Sequence, residues 1–155
     1  MGLPWRSLVA AWVAAATPAA AQQVKELGVQ TTGTLSDPGL AVAGVYAALR
    51  PSERSRVSAA LGAGTSDGAT AWRGELLGHF LLAPRRRRGA GVYAAGGVAV
   101  VGGPSDKGYL VLALGVEGRP GSAAGWFVEA GVGGGARLAL GYRWRWFPAW
   151  WRLVP

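Results

Sequence analysis

His79 is the only histidine of the chain, so any imidazole base has to be this one. A serine esterase needs an alcohol within hydrogen-bond reach of such a base. Ser58 is the candidate nucleophile among the positions that the strand pattern turns to the same side. Glu75 lies four residues before His79, and Arg73 two further, on one face of an extended segment. Catalysis of this kind would act on a lipid ester. A single histidine excludes a multi-histidine metal site, and zero cysteine excludes zinc-thiolate centres, disulfides and a thiol nucleophile. The weightier expectation is that His79 is a buried polar group partnered by Glu75 or Glu117, because buried polar groups have partners. The chain is accordingly read as a non-enzyme, with no catalytic residue, cofactor or metal.

Two other features invite a chemical reading. Arg85 to Arg88 form the densest charge in the chain, but four residues fit a solvated or headgroup-contacting turn better than a nucleic-acid patch. No nucleic-acid partner is expected. The glycine clusters Gly96-Gly97, Gly102-Gly103 and Gly133-Gly134-Gly135 lack the lysine-serine pair and strand-to-helix context of a phosphate loop. They read as turns and bends of a sheet.

The elements that must position these residues are strands. In 137–146, Leu138, Leu140, Tyr142, Trp144 and Trp146 alternate with Arg137, Ala139, Gly141, Arg143 and Arg145. A period of two with aromatics opposite arginines suits a strand between lipid and a polar interior. With 26 glycines in 155 residues, 50% apolar content and a mean hydropathy of +0.22, long helices are disfavoured and an all-β chain with tight turns remains. Turn chemistry at 36–39, 51–54, 65–68, 84–89, 102–108, 119–122 and 133–135 separates eight segments: 24–34, 40–50, 56–64, 71–82, 91–101, 109–118, 126–133 and 136–146. Most are near the roughly 9 to 11 residues of a tilted transmembrane strand. An even number returns the chain to its starting side.

Ahead of these, Arg6 precedes an apolar run from Leu8 to Ala16 and then Ala19-Ala20-Ala21, the pattern of a cleaved secretory signal over 1–21. The barrel domain is expected over 22–146, with an aromatic tail over 147–155. Removing 1–21 takes away one arginine of the 16 Lys and Arg that face 8 Asp and Glu, so the exported domain stays basic. Its strand phases gather Glu26, Arg56, Arg73, Glu75, His79, Glu117, Glu129, Arg137, Arg143 and Arg145 inside, a mixed-sign set suited to mutual pairing. Strands 40–50 and 91–101 are apolar on both faces, and pattern assigns them no phase. Trp72 and Tyr109 are expected at one membrane boundary, and Trp126, Tyr142, Trp144 and Trp146 at the other. Loops are expected to be short: binding barrels place recognition in long extracellular loops, and the longest candidates for these, 102–108 and 36–39, offer little area.

Gly141, followed by Trp144 three places on and Trp146 five places on, resembles the terminal-strand signal of outer-membrane β-barrels. With the signal segment and the strand count, the whole mature chain looks like a small eight-stranded outer-membrane β-barrel protein of a Gram-negative-type envelope. Ala139 replaces the usual polar residue two before the glycine, and the chain runs nine residues past Trp146. The resemblance implies a closed antiparallel up-and-down barrel in membrane lipid, inserted by the barrel-assembly machinery. The expectation is a monomeric structural or surface component, without an open pore, in the outer membrane. Lipid A deacylases share the architecture, but their adjacent histidine and serine are missing here, since Phe80 follows His79. The competing class is a soluble, lipocalin-like barrel that binds a small apolar ligand, which would require the reverse phase with leucines inside.

Overall fold

The computed structural model describes residues 23–104 and 106–149. The expected signal segment and Trp150 and Trp151 lie outside the described residues. Eight strands follow one another: β1 (Val24–Leu35), β2 (Leu40–Arg50), β3 (Ser55–Ser66), β4 (Ala69–Leu81), β5 (Ala90–Gly102), β6 (Lys107–Gly118), β7 (Ala124–Val132) and β8 (Ala136–Trp146). Each pairs antiparallel with the next, and β8 pairs with β1 to close the barrel. Closure leaves no sheet edge to be covered.

Hairpins account for the boundaries that differ from expectation. Asp67 and Gly68 both have positive φ, 48° and 83°, the backbone of a two-residue turn whose twist matches its flanking strands. Thr65 and Ser66 therefore stay in the ladder, opposite Thr70 and Ala69, where a longer turn was expected. Gly134 and Gly135, at φ 84° and 132°, close β7 onto β8. The longest connection among the described residues is 82–89. It lies at the barrel end where β1 starts and β8 finishes, here the terminal end. The turns at 36–39, 67–68, 103–106 and 133–135 form the far end.

Side chains alternate strictly, as in β1, where buried and exposed positions take turns from Val24 onward. The two strands without a sequence phase acquire one. In β2, Leu40, Val42, Tyr46, Ala48 and Arg50 turn inward while Val45 and Leu49 turn out; in β5, Tyr93, Ala95 and Ala99 turn inward while Val92, Val98 and Val100 turn out. Bulk decides this. Tyr93 stands opposite Gly115 and Phe127 opposite Gly141, and a Cβ at either glycine would strike the facing ring. Glycine is what lets an eight-stranded lumen hold aromatic rings on its inner wall.

Candidate functional site: the charged interior

The inward rows bring glutamates and arginines from separate strands into two clusters, both sealed from solvent. Nearer the terminal end, the Glu117 carboxylate of β6 accepts from three arginines. Arg56 Nη2 of β3 donates to both oxygens at 2.9 Å, Arg145 Nη2 donates to Oε2 at 3.0 Å, and Arg143 Nη2 donates to the same oxygen. Glu26 of β1 faces the same three cations as ion pairs at 3.3–3.8 Å. The Arg143 guanidinium also stacks 4.7 Å from the Phe127 ring centre and donates to Tyr46 Oη at 3.1 Å. A weakly hydrated, planar cation suits this enclosure of rings and carboxylates.

Nearer the far end, Glu75 accepts from Arg73 Nε at 2.6 Å and from Arg137 Nε and Nη2 at 2.9 and 2.6 Å. Arg137 Nη1 donates to Glu129 at 2.9 Å, and Tyr93 Oη donates to the same carboxylate at 3.0 Å. Gln30 Nε2 reaches Glu75 at 3.4 Å and Thr32 Oγ1 at 2.9 Å. Arg73 Nη2 closes the set on the Gly133 carbonyl at 3.1 Å. Buried ions hold together only when charge and hydrogen-bond geometry are both matched; Glu26, Glu75 and Glu117 each meet more than one cation, and Glu129 meets Arg137 and the Tyr93 hydroxyl.

All ten charged or ionisable positions named from the sequence lie in this interior. Pattern missed Tyr46, Tyr93, Arg50 and Gln30. Arg50 was a usable signal: it shares a strand face with Ala48 and Tyr46, and an inward Arg50 would have set the phase of β2.

His79 departs from expectation. Its Nε2 lies 2.7 Å from Ser58 Oγ, with neither Glu75 nor Glu117 as partner, because both carboxylates are taken up by arginines. The spacing is that of a nucleophile and its base. However, no carboxylate meets Nδ1, so the third member of a catalytic triad is missing, and both side chains are buried at 4% exposure. The contact is read as polar packing. Ser58→Ala should leave Nε2 unpaired and lower stability by about 1–3 kcal/mol, visible as a lower urea midpoint.

The outer face carries Trp72, Trp126, Tyr142, Trp144 and Trp146, all exposed. Trp126 stands opposite Tyr142, and Tyr142 meets Trp144 edge-on at 5.5 Å. Tyr109 does not join them. It shares the inward phase of Val111, is half-buried and overhangs Gly134. There it helps to line a far-end mouth cavity of about 260 Å³ with Arg73 and Lys107. Of the terminal-strand residues, Gly141 sits half-buried beneath Phe127, while Trp144 and Trp146 pair with Leu27 and Lys25 of β1.

Among solved structures, the chain is similar to the N-terminal β-barrel domain of OprF from Pseudomonas aeruginosa, with a TM-score of 0.60 and 11% sequence identity over 81% of this chain and 98% of that one. The two share a fold. At that identity the match supports architecture, a closed eight-stranded antiparallel barrel, and nothing finer. No family model and no curated protein matches the sequence.

Proposed function

We propose that the chain is an outer-membrane barrel: exported through its N-terminal segment, inserted by the barrel-assembly machinery, and serving as a monomeric structural or surface component. The single observation that carries this is the phase of the wall. Leu112 and Leu140 are 65% and 53% exposed, whereas Glu117 and Arg143 are 1% and 0% exposed. An outer surface clad in leucine, valine and tryptophan around every strand far exceeds the few hundred Å² of apolar patch usual on soluble monomers. An 11-residue strand such as β2 or β8, rising about 3.3 Å per residue and tilted about 40°, spans roughly 28 Å, close to the apolar band of such barrels. A lipocalin-like carrier requires the reverse arrangement, which is not the one found.

The reading carries no open channel and no catalysis. Below the far-end mouth cavity, a void of about 10 Å³ remains beside Gln30, Thr32, Arg73 and Glu75, at the limit for one water, and the arginines, glutamates and the rings of Tyr46, Tyr93 and Phe127 are packed inside the barrel. Purified, refolded protein should show gel mobility that shifts on boiling, and planar bilayers containing it should show no steady current. Sustained open conductance would refute a filled lumen, and recovery as a soluble monomer without detergent would refute the membrane assignment.

A further inference from the structure

The two barrel ends differ in charge. The terminal end exposes Lys25, Arg54, Arg85, Arg86, Arg88 and Arg119, with Arg87 half-buried, against one described acid, Glu53. The far end exposes Asp37, Asp67 and Asp106 against Lys107. Outward aromatics divide the same way. Phe80, Trp126, Tyr142, Trp144 and Trp146 lie toward the terminal end, and Trp72 toward the far end.

The basic run is also held in place. Arg119 N–H donates to the Gly89 carbonyl at 2.9 Å and Gly121 N–H to that of Arg87 at 3.1 Å, tying 82–89 to the β6–β7 turn. Arg86 Nη1 donates to the Ala90 carbonyl at 2.9 Å. Arg145 Nη1 donates to the Arg119 and Ser122 carbonyls at 3.3 and 3.2 Å, linking that turn to the interior cluster. On the outer wall of the same end, Leu27, Ala47, Leu49, Val57, Leu76 and Trp146 line an apolar groove of about 570 Å³ that Lys25 also borders.

Aromatic girdles sit at headgroup depth, so a collar of cations just beyond one faces lipid phosphates. Resting on the membrane reading above, we propose that the terminal end is a binding surface for anionic phospholipid. An acyl chain lies in the groove beside Trp146, and the phosphodiester headgroup meets Lys25 and the arginine collar. The acidic far end, poor in aromatics, has no such preference, and the asymmetry gives the barrel a preferred leaflet for its terminal end.

The test uses the full folded protein in phosphatidylcholine vesicles doped with headgroup-matched, spin-labelled phosphatidylglycerol or phosphatidylcholine, reading quenching of tryptophan fluorescence. Each arginine at an anionic surface is worth about a five-fold change in affinity, so phosphatidylglycerol should be preferred at least about five-fold at low salt. High salt should erase most of that preference. Replacing all four arginines (R85Q/R86Q/R87Q/R88Q) should remove most of it. The milder R85Q/R88Q variant, which keeps the Arg86 and Arg87 backbone contacts, should reduce it while leaving boiling-sensitive gel mobility unchanged. Equal quenching by both lipids, or an unchanged preference in R85Q/R88Q, overturns the headgroup proposal alone. Failure of the wild type to enter any vesicle overturns the membrane reading and this proposal with it.

Discussion

Glu117→Gln is expected to lower the stability of the barrel by at least about 3–5 kcal/mol, the usual effect of removing one partner from a buried ionic group. Arg56, Arg143 and Arg145 all place a nitrogen on this carboxylate, and glutamine offers one acceptor oxygen and no charge. Glu26 alone would then face three guanidiniums, at 3.3–3.8 Å and without a hydrogen bond from them. For a domain whose whole stability is of order 5–15 kcal/mol, that loss is a large share. The urea midpoint of the fast-migrating, unboiled gel band measures it. A double-mutant cycle sharpens the test: Arg143→Met should cost less in the Glu117→Gln background than in the wild type, because the cation it removes has already lost its partner. Additive effects, or a wild-type midpoint for Glu117→Gln, would mean that the interior is wet enough to screen these charges.

Leu112→Arg is expected to destabilise the inserted barrel by about 2–4 kcal/mol, the cost of a cation at the bilayer midplane on the lipid face. Leu112 lies mid-strand in β6, between Gly96 of β5 and Val132 of β7, and 65% of it is exposed. On a water-facing wall the same change would cost almost nothing. Leu35→Arg is the control: Leu35 ends β1 at the far end with 83% exposure, and near an interface the cost falls to about 0–1 kcal/mol. The contrast between the two variants in vesicle-folded protein separates hydrocarbon from water as the surrounding medium. Equal behaviour would rule out a transmembrane wall at Leu112.

Alternation makes most of this architecture legible in the sequence. Where one face carried charge, as in β4 with Arg73, Glu75 and His79, the phase followed from the cost of facing lipid with an ion. In β2 the one charge, Arg50 at the strand end, marks the inward face, whereas in β5 both faces are apolar and the deciding fact is non-local. Tyr93 turns inward where Gly115 on the adjacent strand leaves room for its ring and Glu129 supplies a partner, Tyr46, turned inward, finds Arg143, and cross-strand register is not written in one strand. The partner of His79 escaped for a related reason. Glu75 and Glu117 share its face, but arginines on other strands saturate both carboxylates, leaving Ser58. Tyr109 was misplaced by its nearness to a strand end, although its parity with Val111 already directed it inward.

The arginines are unevenly distributed along the polypeptide. Arg137, Arg143 and Arg145 all arrive on β8, whereas the glutamates they neutralise, Glu26, Glu75, Glu117 and Glu129, belong to strands made earlier. Without β8 the four glutamates keep Arg50, Arg56 and Arg73 in the same interior but lose the other half of its arginines. Pairing the last strand with the first brings Arg137 to Glu75 and Glu129 and brings Arg143 and Arg145 to Glu26 and Glu117, so the seam that closes the sheet also completes both ion clusters.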